Sequence, residues 1–219
     1  MPLRWCFLGL GFLGTGRGDA EKAYLCRTNH FRLMTSTTLN DITLAPLQAD
    51  DREQFITDNQ WAFKYGAMQE FGMRDNHFEE DGEIISRATI ENDIDGENAE
   101  AYRILLHGKK VGGVVITLDK ENHKGDLDLL FVSPEVHSKG VGYAAWCLIE
   151  KLHPEIKVWE TFTPYFEKRN IHFYVNRCGF HIVEFWNKHF HGPAIPDEEV
   201  GNWHEDDEMF LFRKVLPSS

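Results

Sequence analysis

Apolar residues along this chain change period at several points, and the sharpest change lies between Gly125 and His153. Leu127 and Leu129 alternate with Asp126 and Asp128, the run Leu130, Phe131, Val132 is apolar throughout, and Pro134 follows. That pattern predicts a strand over 127–132, ended by a proline that cannot donate to a ladder. From Val141 the apolar positions fall at Val141, Ala144, Ala145, Leu148 and Leu152, the spacing of one helical face. Between strand and helix lies the polar loop His137, Ser138, Lys139, Gly140, Val141, Gly142.

The same reading extends along the chain. Alternation over Asp41–Leu47 predicts a first strand. Asp50 followed by Glu53 has the spacing of a capping box at the start of a helix carrying Phe55, Ile56, Ala62 and Phe63. A loop over 66–82 and a second helix from Glu83 to about Asp93 come next, the latter with Ile84, Ile85 and Ala88 on its apolar side. Strands Tyr102–Leu106 and Val111–Leu118 flank the turn His107–Lys110 and form a hairpin. After the central strand and helix, Ile156–Phe162 reads as a strand, Tyr165–Cys178 as a helix, and His181–Trp186 and Met209–Val215 as closing strands. The strand over 156–162 follows a strand-helix crossover and is therefore expected to lie parallel to 127–132.

A strand that feeds a helix through Gly140 and Gly142 exposes backbone N–H groups at the positive end of the helix dipole. Such a cradle suits a pyrophosphate. In this loop and its neighbours the chain resembles the GNAT family of N-acetyltransferases. The family's signature is a strand ending in Val, a loop of the form Gln/Arg-x-x-Gly-x-Gly/Ala, and a helix; Val132 and Gly140-Val141-Gly142 match it, while His137 stands at the Gln/Arg position. The order β-α-α-β-β-β-α-β-α-β-β over about 41–216 is also the family's.

The resemblance implies an α/β (α+β) fold: a mixed, mostly antiparallel sheet of about seven strands, helices on both faces, and a splayed parallel strand pair. It implies acetyl-CoA as co-substrate, with Leu130, Phe131 and Val132 lining the pantetheine arm and His137, Ser138, Lys139, Gly140, Val141, Gly142 and Tyr143 holding the pyrophosphate. It further implies a bulge in the first strand of the pair, which frees backbone groups to polarise the thioester carbonyl. A later family motif places an Asn at the start of a helix that carries a Tyr before Gly-Phe. Asn170, which the resemblance implies binds the co-substrate, and Tyr174 are its counterparts before Gly179-Phe180, with Tyr174 one residue further from the glycine than the family spacing. One residue turns a helical side chain by about 100°.

The implied reaction is direct attack of a primary amine on the thioester through a tetrahedral intermediate, and it needs two proton transfers. Asp128 is the first candidate to take the ammonium proton and Glu160, on the neighbouring strand, the second; Asp126 shares a strand face with Asp128. The alternative, Asp126 and Asp128 facing solvent, stays open on sequence alone. Tyr174 is the candidate to protonate the leaving thiolate, with Tyr165 and Cys178 behind it, and a core-packing Tyr174 is the other reading. Lys139, Lys168 and Arg169 fall near the expected phosphates.

Composition narrows the partners. Across 219 residues the net charge is -12, which argues against nucleic acid and favours a cationic acceptor, such as an amine of a small molecule or peptide. Phe71, Phe78, Glu79 and Glu80 in the loop between the first two helices would suit such a group. Cys6, Cys26, Cys147 and Cys178 show no CxxC pairing, as expected of a reduced, cytoplasmic protein. No membrane partner is expected, because Trp5–Gly14 is too short to span a bilayer. The eleven histidines include His189, His191 and His204, but these lack metal-ligand spacing, and no metal is expected. A homodimer is compatible with the pattern, which does not fix the oligomeric state.

Residues 1–36 read as a disordered or non-domain extension, with the single acetyltransferase domain over 37–219. The extension contains Gly9, Gly11 and Gly14 in a GxGxxG pattern, without the helix that a dinucleotide site requires. The competing function is a non-catalytic acyl-CoA sensor or interaction module of the same fold, to which His137 and the shifted Tyr174 would belong.

Overall fold

The computed structural model describes residues 41–67, 82–136, 140–190 and 208–217. Among these residues there are seven strands, β1 (Ile42–Pro46), β2 (Ala99–Leu106), β3 (Lys109–Asp119), β4 (Lys124–Val132), β5 (Val158–Pro164), β6 (His181–Trp186) and β7 (Met209–Val215). They form one sheet in the order β1-β2-β3-β4-β5-β7-β6. Every neighbouring pair is antiparallel except β4 and β5, which are parallel. Four α-helices accompany the sheet: α1 (Arg52–Tyr65), α2 (Arg87–Ile94), α3 (Val141–Leu152) and α4 (Lys168–His172), the last running directly into a π-helical turn over Phe173–Cys178.

The sheet buries both faces. Helices α1 and α2 cover one of them with Phe55, Ile56, Phe63 and Ile90, set against Val115, Leu129 and Phe131 of the strands. On the other face α3 and the π-helical turn bring Ala145, Trp146, Ile149, Phe173 and Tyr174 against Val114, Ile116, Leu127 and Leu130. This is the mixed, two-faced sheet that the resemblance implies, with the elements in the order that the pattern predicts.

Element boundaries differ where side chains have long-range partners. Asp50 and Glu53 make no capping box: a 3-10 turn over Ala49–Asp51 leads into α1, whose cap residue Asp51 makes no side-chain cap bond. The Asp51 carboxylate is instead bound by Arg103 and Lys110, and Glu53 is bound by Arg87. Helix α2 starts at Arg87 rather than near Glu83, because the Ser86 hydroxyl accepts from the Thr89 N–H at 3.1 Å and fixes the start there. Strand β5 runs on to Pro164, and Tyr165 lies in the turn that follows it rather than in a helix.

Close packing of α1 on the sheet depends on glycine. A Cβ at Gly113 would stand 2.2 Å from Phe55 Cε2 and 2.6 Å from Phe131 Cε1, inside both rings. These rings meet edge to face at 5.1 Å. Gly113→Ala is therefore expected to cost about 1–3 kcal/mol, the usual price of overpacking a core, and chemical denaturation would measure it.

The extension 1–36, its glycine pattern, Cys6 and Cys26 lie outside the described residues. So do Phe71, Phe78, Glu79 and Glu80, the loop residues His137, Ser138 and Lys139, and His191 and His204.

Candidate functional site

Strands β4 and β5 pair only at Lys124 with Val158, Gly125 with Trp159 and Asp126 with Glu160. Beyond Asp126 their ladder stops, although β4 runs on to Val132 and β5 to Pro164. The Thr161 hydroxyl still reaches across to donate to the Leu127 carbonyl at 2.9 Å. Beyond this point the two strands are unpaired toward their C-terminal ends, and this gap in the ladder is the crevice, the place where ligands bind in open α/β sheets.

The cause lies on the other side of β4. Ile116 pairs with Leu127 and Val115 with Leu129, so Asp128 is an extra residue in the ladder to β3. This bulge turns the strand. It also puts Leu127 on the α3 face and Leu129 on the α1 face, although strict alternation would place both on one side. Asp128 is 0% exposed, which excludes the solvent-facing reading for this residue. Its carboxylate accepts a hydrogen bond from the Thr117 hydroxyl at 2.7 Å, on the face covered by α1 and α2.

Leu130, Phe131 and Val132 are all buried in the splayed part of β4, and Phe131 and Val132 pair with Gly113 and Gly112 on the β3 side. Helix α3 starts close by. Its cap residue Gly140 has φ 75° and ψ 10°, a conformation that side chains other than glycine rarely adopt. Among the described residues, a Cβ there would meet nothing within 4 Å. The Ala144 N–H is bonded to the Gly140 carbonyl at 3.0 Å, and the N–H groups of Val141 and Gly142 precede it in the first turn, where an α-helix supplies no acceptor. Tyr143 stands in the same turn, with its ring beneath the Arg177 guanidinium. Burial and a hydrogen bond with Cys147 both push its phenol pKa up.

The other predicted residues separate into two groups. Glu160 sits in the closed part of the strand pair, ion-paired to Arg213 directly opposite on β7. Asn170 is fully buried at the crevice end of β5 and donates from Nδ2 to Thr163 Oγ1 at 3.1 Å. Tyr174 is 0% exposed and packs with Phe173, Phe180 and Phe212. Its extra residue of spacing coincides with the π-helical turn: the Gly179 N–H bonds to the Tyr174 carbonyl five residues back, and the Phe180 N–H bonds to the same oxygen at 2.9 Å. A π turn takes up one more residue than an α turn, and such turns often accompany functional sites. Lys168 is exposed, whereas burial draws the Arg169 guanidinium down to about 10.

Glu167 was not foreseen from the sequence. It is 1% exposed in the turn between β5 and α4, held by its own N–H bond to the Pro164 carbonyl at 3.0 Å. The signal available was an acidic residue just before a helix at the end of a parallel strand, a place where charged groups are common for capping alone.

Residues 54–180 match the model of the Acetyltransferase (GNAT) family. The chain belongs to this family. As a GNAT acetyltransferase it is 40% identical over 181 residues to the uncharacterized protein YrkN of Bacillus subtilis (strain 168), covering 80% of this chain and 94% of that one. Its fold is similar to the ribosomal-protein-S18-alanine N-acetyltransferase of Escherichia coli, with a TM-score of 0.54 at 14% identity, over 81% of this chain and 96% of that one. It is likewise similar to a GNAT family acetyltransferase from Elizabethkingia anophelis with acetyl-CoA bound, with a TM-score of 0.52 at 15% identity, over 81% and 99% of the two chains. At these identities the shared feature is the fold. Among the described residues no helix is long and apolar enough to cross a membrane, and no group of three His, Cys, Asp or Glu is arranged to hold a metal ion.

Proposed function

We propose that this GNAT acetyltransferase moves the acetyl group of acetyl-CoA to a primary amine of a small molecule or peptide. The observation that carries the reading is the crevice between β4 and β5, opened by a bulge at Asp128 and lying near the left-handed glycine that starts α3. The co-substrate brings the activated thioester. The chain's part is to hold it and to move protons.

Backbone N–H groups at Gly140, Val141, Gly142 and Tyr143 would bind the pyrophosphate, with His137, Ser138 and Lys139 supplying the preceding loop. The pantetheine arm would lie along Leu130, Phe131 and Val132, where β4 has left its ladder with β5. A backbone N–H of Leu130 or Phe131 would then stabilise the oxyanion of the tetrahedral intermediate. Asp128 takes the proton from the acceptor ammonium. Glu160 ranks behind it because its carboxylate is already occupied by Arg213 in the closed part of the strand pair. Asn170 and Thr163 shape the wall of the crevice formed by β5.

Tyr174 protonates the leaving thiolate. A thiol of pKa about 8.5 leaves tolerably as its anion, so Tyr174→Phe is expected to lower kcat by only about tenfold, below the usual effect of a general acid. The ring keeps its packing against Phe180 and Phe212 in this variant. Turnover equal to wild type would make Tyr174 a core residue and no more.

Release of thiol from acetyl-CoA across a panel of amines, beside calorimetric titration with CoA, tests the whole reading. Binding with no turnover on any amine would assign the chain to acyl-CoA sensing instead.

A further inference from the structure

Asn59 stands in the middle of α1, on the stripe formed by Phe55, Ile56, Ala62 and Phe63 that packs against β3 and β4. It is 0% exposed, and among the described residues neither the oxygen nor the nitrogen of its amide has a hydrogen-bond partner. Leaving a buried amide unsatisfied costs about 1–3 kcal/mol. Folded proteins avoid that cost, and a Leu of similar shape would fill the same stripe without it. An apolar helix face that nevertheless carries an amide breaks a local rule, and such breaks concentrate at functional sites.

The layer between α1 and the sheet is also where Asp128 lies. Thr117, which donates to Asp128, alternates along β3 with Val115, and Val115 packs with the α1 residues. Helix α2 adds Asp93 to this layer, 2% exposed. One side of the sheet thus carries a carboxylate at the point where β4 leaves β5, together with an amide able to accept and to donate.

We infer that Asn59 is a specificity-determining residue for the acceptor, selecting amines that carry a carbonyl on the adjacent carbon, as amino acid amides and peptide N-termini do. This rests on the N-acetyltransferase reading. Asn59 Oδ1 accepts from the amine N–H and Nδ2 donates to the carbonyl oxygen. A simple alkyl amine answers only the first of these. Sites that hydrogen-bond a substrate group discriminate strongly against analogues lacking it, because their own polar atoms are then left unpaired.

The test compares alaninamide with propylamine as acceptors for the wild-type chain and for Asn59→Leu, following thiol release, with thermal unfolding of both proteins alongside. The ratio of kcat/KM for alaninamide to that for propylamine is expected to fall about tenfold in the variant. Taking this ratio within each protein cancels the different basicities of the two amines. The unfolding midpoint is expected to rise, because the orphaned amide is gone. An unchanged ratio overturns the inference, as does a rise confined to the KM for acetyl-CoA, which would assign Asn59 to the co-substrate. A lower midpoint, or failure to fold in both Asn59→Leu and Asn59→Ala, also overturns it by showing that the amide is satisfied within the protein. Absence of thiol release from the wild-type chain with every amine would instead overturn the acetyltransferase reading, and this inference with it.

Discussion

Asp128→Asn is expected to lower kcat/KM for acetyl transfer by about 100- to 10,000-fold, the range over which a positioned general base contributes. The substitution is mild in shape, and the Thr117 hydroxyl that donates to the carboxylate at 2.7 Å can donate to an amide oxygen instead. What the amide cannot do is take a proton. A primary alkyl amine with a pKa of about 10 reaches the site mostly as ammonium near neutral pH, so a proton must leave before attack, and the role proposed for the wild-type carboxylate is to take it. Each pH unit closer to the acceptor's own pKa supplies about ten times more free amine, and the need for the base falls accordingly. The deficit of the variant should therefore be largest at low pH and shrink as pH rises. Parallel pH profiles of kcat/KM check this. A purely structural Asp128 would lower the thermal midpoint and leave the ratio of the two profiles flat, and equal rates throughout would remove the residue from the mechanism.

The residue most in need of the three-dimensional structure was this same Asp128. Sequence shows a carboxylate alternating with Leu127 and Leu129, a pattern that a half-exposed strand would share. The bulge that buries it arises from the register between β3 and β4, and local periodicity carries no trace of such a slip. By contrast, the run Leu130–Val132 and the helical face from Val141 to Leu152 were legible, because each needs only a strand or helix period and a glycine or proline to bound it. The glycine start of α3 was legible for the same reason. Gly140 takes a left-handed conformation that few other residues tolerate.

Side-chain pairing over long sequence separations decided what the pattern could not. Asp50 and Glu53 have capping-box spacing, yet Glu53 reaches Arg87, and the next acid, Asp51, reaches Arg103, 52 residues away. The spacing of Tyr174 likewise looked one residue out of step until the helix itself widened into a π turn. For the acids the local rule was sound and a distant partner outweighed it; for Tyr174 the backbone itself took up the extra residue. Asn59 is the converse: the spacing of Phe55, Ile56, Ala62 and Phe63 marks the apolar stripe, but nothing in the sequence singles out Asn59 or says that its amide has no partner among the described residues.

Arg103→Met is expected to destabilise the fold by about 3–5 kcal/mol, the cost of removing one partner from a buried ion pair. For a chain of this size that corresponds to a fall in the thermal midpoint on the order of 10 °C. Arg103 is 2% exposed. Its Nε and one terminal nitrogen donate to the two oxygens of Asp51 at 2.7 and 3.1 Å, and the other terminal nitrogen donates to Asp58 at 2.8 Å. The guanidinium also lies over the Phe55 ring, 5.0 Å from its centre, and Phe55 in turn meets Phe131 of β4. One side chain thereby ties β2 and the start of α1 to the strand that carries the crevice.

Without Arg103, Asp51 keeps Lys110 alone as a cation among the described residues, and the sign of the pH dependence follows. In the wild type burial pushes the Asp51 carboxyl up, but the hydrogen bonds and charges of Arg103 and Lys110 outweigh that and hold it below the usual aspartate range. A lowered carboxyl contributes stability that is fully present above the unfolded value of about 3.9 and is lost as pH falls through the folded value. In the variant, burial faces weaker opposition, so protonating Asp51 relieves a penalty that ionisation imposes. The stability gap between wild type and variant should thus be widest near neutral pH and narrow as the pH falls below about 4. Asp51→Asn combined with Arg103→Met should recover part of the loss, since no buried charge is then left without its guanidinium. Urea unfolding of the three proteins across pH tests these points together; a gap that stays constant down to acid pH would show that Arg103 acts through its packing on Phe55 rather than through Asp51.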